Sequence, residues 1–170
     1  MKVVIYVAVS ADGFIATKDG NSDWVLDDEL FEKNVKDFGC IALGHNTFKQ
    51  YENEIYPIDG VDHLILATSG ESSHKNVYFV MSPEEAIKKA RDLGHNKLLI
   101  VGGGKCNGSF DQAGLVDEIW LDIHPLILGN GIKLLGDFIG ELKLELISSE
   151  QQPEGFIHSK FKNMCPKNQD

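Results

Sequence analysis

Apolar and polar positions alternate between two spacings over the first two thirds of the chain, and one of them takes over in the last third. Val3 to Val9 is an unbroken apolar, β-branched run, the pattern of a strand buried on both faces. Ser10 to Trp24, with Gly13, Gly20 and Asn21, reads as a loop. Asp27 to Phe38 then predicts a helix: Leu30, Phe31, Asn34, Val35 and Phe38 recur at helical spacing and Gly39 stops it. Cys40 to Leu43 is a short strand ending at Gly44, and Thr47 to Tyr51 a short helix. His63 to Ala67 and Val77 to Val80 are further strands.

The strongest local signal is "SPEEAIKKARDLG". Ser82 is an N-cap, Pro83 takes the first helical position and Glu85 completes a capping box. Ala86, Ile87, Ala90 and Leu93 form one buried stripe, and Gly94 ends the helix. Leu98 to Val101 predicts a strand, Gly108 to Ala113 a short helix and Val116 to His124 a long strand. After Pro125 the pattern turns to strands: 142–149 alternates as a half-exposed strand, and 155–162 pairs with it across Pro153-Glu154-Gly155. The expected architecture is α/β in three layers, a mixed, mostly parallel central sheet with flanking helices and antiparallel C-terminal strands. Ligands of such sheets sit at the C-terminal ends of the parallel strands, here the loops 10–24, 44–47, 68–69 and 102–107.

Composition narrows the function. At 170 residues, 42% hydrophobic, the chain suits one core and is short for two. A net charge of −10 disfavours nucleic acid and anionic membranes and leaves a small ligand as the expected partner. Cys40, Cys106 and Cys165 are odd in number, far apart and without metal spacing, so reduced thiols in a cytoplasmic protein are expected, with no metal. The first apolar run is too short for a membrane span and reads as a strand rather than a targeting segment.

The run "LLIVGGGKCNGSF" raises the question of phosphate binding. It lacks the P-loop spacing, and Asn107 stands where a dinucleotide fingerprint needs its third glycine. Two readings stay open. Free of side chains, the glycines let a strand and helix pack closely, or they expose amides at a helix start to an anion, with Lys105 adding charge. Gly44-His45-Asn46-Thr47 offers a second turn of the same kind.

"GGGKCNGSFDQAGLVDEIWLDIHPLILGNGIKLL" resembles the C-terminal reductase domain of the bifunctional riboflavin-biosynthesis deaminase-reductase (RibD) family. "VSADGFIA" and "LGHNTF" are similar to other landmarks of that family, and the resemblance spans roughly residues 2 to 162. It implies one domain of dihydrofolate-reductase-like fold over 1–162, followed by a polar tail, 163–170. It also implies NADPH and hydride transfer to a pterin- or pyrimidine-like small molecule, as in 5-amino-6-(5-phosphoribosylamino)uracil reduction. The counterparts of Gly44, His45 and Thr47 and of Gly102, Gly103, Gly104 and Lys105, flanked by Val101 and Asn107, bind cofactor phosphates. Thr68 and Ser69 match the adenosine end; Ala8, Ile15 and Ala16 border the nicotinamide. An arginine commonly follows the glycine matched by Gly44, and this chain has His45. The deaminase signature of histidine, glutamate and paired cysteines is absent.

Hydride transfer needs a proton donor beside the reacting carbon. Glu29 takes the place of the first-helix acid of dihydrofolate reductases, with Asp27 and Asp28 beside it at the helix start. Asp12 and Asp122 are further candidate acids, and Trp24 with Asp28 would bound the substrate. A nucleotide-binding or dimerisation module without turnover and a true dihydrofolate reductase are the alternatives. The apolar segment Pro125 to Leu135 and the last strands offer a homodimer surface.

Overall fold

Val3, Ile5, Val7 and Val9 join one apolar cluster, whereas Val4 and Tyr6 join another on the opposite face of the same strand. Period-two alternation with both faces covered explains the unbroken apolar run. The computed structural model describes residues 1–26 and 29–165. Along it lie β1 (Lys2–Ser10), β2 (Phe14–Ala16), α1 (Glu29–Phe38), β3 (Cys40–Gly44), α2 (His45–Gln50), β4 (Asp62–Leu66) and β5 (Val77–Val80). There follow α3 (Pro83–Asp92), β6 (Lys97–Ile100), α4 (Gly104–Gln112), β7 (Glu118–His124), β8 (Ile132–Lys133), β9 (Leu144–Gln151) and β10 (Ile157–Asn163).

Eight strands form one sheet in the order β5-β4-β3-β6-β1-β7-β10-β9. From β5 to β7 neighbours are parallel; β10 and β9 close the sheet antiparallel. Val35 and Phe38 of α1 and Phe48 of α2 pack into one cluster, Ala86, Ile87 and Ala90 of α3 and Phe110 of α4 into the other. The result is the expected three-layer α/β architecture. Burial of a side chain such as Phe110 contributes about 1.5–3 kcal/mol. At the start of α3, Ser82 Oγ accepts from Glu85 N at 3.2 Å, and Glu85 reaches back to Met81 N at 2.7 Å, one residue beyond the usual partner.

Three expectations change. The helix expected at Gly108 begins at Gly104, because its glycines serve packing. A Cβ at Gly104 would lie 2.3 Å from the Lys133 carbonyl oxygen, and one at Gly108 2.4 Å from that of Leu135. Within the expected loop 10–24, Phe14–Ala16 pairs antiparallel with Ile132–Lys133. Finally, β9 is exposed on both faces rather than one, since it is the sheet edge; Leu146 and Ile147 are 58% and 51% exposed. Asp27 and the predicted site residue Asp28 lie outside the described residues.

Candidate functional site

Because β1, β3, β6 and β7 run parallel, Ser10, Gly44, Val101 and His124 all arrive at one edge of the sheet. There the chain leaves each strand in a different direction and opens a crevice. A cavity of about 630 Å³ lies over it. Tyr6, Ala8 and Asp122 line it from β1 and β7, with Ile15, Ala16 and Phe31 among its apolar walls.

Asp122 is 4% exposed, yet both its oxygens are engaged. Tyr6 Oη donates to Oδ2 at 2.5 Å, and His158 Nδ1 lies 2.5 Å from Oδ1. Register explains the meeting: Asp122 sits opposite Ala8 on β1 and opposite His158 on β10. A buried carboxyl group needs such partners. The His158 ring stands edge-on to Tyr6 and Trp120, and its Nε2 is buried without a hydrogen-bond partner. Tyr6, Asp122 and His158 therefore form a short polar chain from the cavity into the protein.

A second cavity of about 620 Å³ adjoins the first, and Asn46, Thr47, Gly103 and Ile132 line both. Gly44, His45, Gly104, Lys105 and Lys133 line the second alone. The N-caps of α2 and α4 are Gly44 and Gly103, and neither provides a side-chain cap. The first amides of both helices thus have no intrahelical acceptor, and residues that carry them line this groove. Thr47 ties the two starts together: its Oγ1 accepts from Gly103 N at 3.0 Å, while Gly44 N donates to the Gly102 carbonyl at 2.9 Å. Gly102 holds φ at +105°, a region that favours glycine, and the Gly102–Gly103 peptide is cis. A Cβ on Gly103 would come within 3.1 Å of Thr47 Oγ1. Bare amides, two lysines and a groove kept open by glycines fit a diphosphate. The Cys106 thiol in this wall is pushed up to about 12 by burial, so it stays neutral.

Ala8, Ile15, Ala16, Thr47, Val101, Gly102, Gly103 and Asp122, named from sequence, meet at the first cavity; Gly44, His45, Gly104 and Lys105 meet at the second. Others lie elsewhere. Asp12 clasps two loops, accepting from Ser10 Oγ at 2.6 Å and from the amides of Leu128 and Gly129 at 3.1 and 2.7 Å. The Ser10 hydroxyl, with these amides, holds its carboxyl below the usual range. Glu29, the exposed first residue of α1, lines neither cavity. Trp24 packs edge-on against His124, and Thr68 and Ser69 are exposed beyond the groove. Asn107 is fully buried and donates to the Leu134 carbonyl at 2.8 Å, holding the segment after β8 against α4.

Tyr6, His158 and Lys133 were not singled out from sequence. A tyrosine inside an apolar strand is the one available signal, since a buried phenol needs a partner. His158 and Lys133 carry no comparable mark, because only the folded sheet brings them to the site.

Residues 59–158 match the family model described as the RibD C-terminal domain. The uncharacterized protein YwjB of Bacillus subtilis is 27% identical over 160 residues, covering 88% of this chain and 91% of its own. A solved structure from Shewanella sp. PV-4, named for riboflavin biosynthesis, superposes with a TM-score of 0.82 at 24% identity, covering 97% of this chain and all of that one. The Thermotoga maritima diaminohydroxyphosphoribosylaminopyrimidine deaminase/5-amino-6-(5-phosphoribosylamino)uracil reductase gives 0.74 at 15% identity; 95% of this chain covers 56% of that longer one. At these identities the structures show a shared fold, and the family match over 59–158 is what places the chain. With more than half its length matched, the chain belongs to the RibD C-terminal domain family.

Proposed function

We propose that this protein is an NADPH-dependent reductase of a pterin- or pyrimidine-like small molecule. One observation carries the reading: two uncapped helix starts and two lysines flank a groove that opens directly into the cavity over Asp122. Gly44 to Thr47 and Gly103 to Lys105 would hold the cofactor's diphosphate, with Lys105 and Lys133 supplying charge. Ala8, Ile15 and Ala16 would border its nicotinamide. When bound, that cofactor supplies a hydride. The chain's own part is to orient the acceptor, exclude water and manage a proton.

Asp122 and Tyr6 are the groups for the proton. A proton passed from this pair to a ring nitrogen of the substrate is replaced from the cavity side, because the polar chain ends at the buried, unpartnered Nε2 of His158. His158 does not line the cavity, so its role is to position Asp122 through their hydrogen bond. Titration with NADPH, followed by nicotinamide fluorescence and thermal midpoint, tests the reading; no binding at millimolar cofactor would sink it.

We also propose a homodimer built on the edge strand β9, where Leu144, Leu146 and Ile147 are exposed beside unpaired backbone. Sedimentation should give a dimer for the parent and a monomer for Leu146→Lys.

A further inference from the structure

The cavity over Asp122 has a rim more acidic than the groove beside it, where Lys105 and Lys133 outnumber Asp137. Among the described residues lining it, Lys18 is the sole cation, while Asp19, Asp23 and Glu54 line it as well. Two of these carboxylates are held in place by side-chain hydrogen bonds. Asp19 accepts from Thr17 Oγ1 at 2.5 Å, which keeps its carboxyl below the usual range, and Asp23 accepts from Asn21 Nδ2 at 2.6 Å. Their loop is fastened to α2: Gln50 Nε2 donates to the Gly20 carbonyl at 2.9 Å, and Ser22 Oγ lies 2.5 Å from the Tyr51 hydroxyl. The acidic rim is therefore part of the folded cavity.

A phosphate ester carries close to two negative charges at neutral pH and needs lysines, bidentate arginines or helix amides to replace its water. The chain has a single arginine, Arg91, in the last turn of α3, and it lines neither cavity. Lys105, Lys133 and the helix amides belong to the groove that the cofactor would fill. The Thermotoga reductase, by its name, acts on a phosphoribosyl compound. Sharing that fold does not carry over the means to hold such a group.

We infer that the cavity over Asp122 takes a nucleobase- or nucleoside-sized heterocycle, neutral or protonated, and turns away its phosphorylated counterpart. This rests on the reading of the neighbouring groove as the cofactor site. Three rim carboxylates against one lysine supply the repulsion, while Phe31 and Tyr51 offer aromatic surface to a ring.

The test uses NADPH-loaded protein, with uridine and uridine 5′-monophosphate as calorimetric probes. Uridine is expected to bind about tenfold or more tightly than the monophosphate at low salt, and the gap should shrink as salt screens the rim. In the triple variant Asp19→Asn, Asp23→Asn, Glu54→Gln the gap should narrow by about tenfold. Tighter binding of the monophosphate, a gap that ignores salt, or binding of neither probe overturns the inference. Should the triple variant fail to fold, the salt series on the parent decides. Failure of NADPH itself to bind is a different result, and strikes the reductase reading instead.

Discussion

Two cavities share a wall of Asn46, Thr47, Gly103 and Ile132, yet they are built by different means. The groove at α2 and α4 is made of backbone: uncapped amides, glycines and two lysines at its margin. The cavity over Asp122 is made of side chains, with a buried carboxylate on its floor and three more at its rim. Backbone polarity suits a group common to many ligands, such as a diphosphate. Side chains decide which ring enters and what happens to it. Under the proposed function, one sheet edge separates binding of a shared cofactor from selection of a particular substrate.

Substitutions that touch one side and spare the other sharpen this contrast. The largest effect belongs to Asp122→Asn. It keeps the shape but removes the acid, and turnover of an accepted substrate should fall by about 10²–10⁴-fold with NADPH affinity retained. Equal loss of both would merge the two cavities into one function. His158→Gln should act more mildly, shifting the pH profile of turnover without abolishing it.

Gly104→Ala comes next. Its Cβ would meet the Lys133 carbonyl at 2.3 Å, so overpacking should cost about 1–3 kcal/mol in chemical denaturation and weaken NADPH binding. Thr47→Val removes the acceptor of the Gly103 amide and should cost about 1 kcal/mol, again with NADPH affinity as the sensitive readout.

The smallest effect belongs to a residue that lines neither cavity, His63. Burial holds His63 below its usual value, with Nε2 accepting from Ile58 N at 3.0 Å. Its unfolded form takes up a proton as pH falls through about 6.5, while the folded form resists. Stability should therefore be full above that value and decline on acidification toward the lower folded value. Denaturation midpoints measured from pH 7 downward should show the decline, and His63→Asn should flatten it. NADPH affinity measured above pH 7 should be unchanged by that substitution.

What could be read from sequence follows the range of the interactions. The α3 helix was legible because Ser82, Pro83, Glu85 and Gly94 carry its start and stop within the segment itself. The groove was legible because Gly44 and Gly103 follow strands that announce themselves as apolar runs. The start of α4 was not: glycine is a poor helix former, and only the distant segment 132–136 makes glycine necessary at 104 and 108. Nor was the full setting of Asp122, whose partners stand 116 and 36 residues away in sequence. The residue could be nominated as an odd carboxylate inside a strand, but Tyr6 and His158 required the register of three strands.

The close seating of 132–136 on α4 has a consequence for tracing descent. Gly104 and Gly108 answer to the Lys133 and Leu135 carbonyls, whatever occupies the groove. A lineage that bound no cofactor would still be obliged to keep them, whereas nothing in that packing protects Lys105 or Asp122. A search keyed to the glycine run will therefore gather shared ancestry more readily than shared chemistry, and the two charged positions are where loss of activity would first be written.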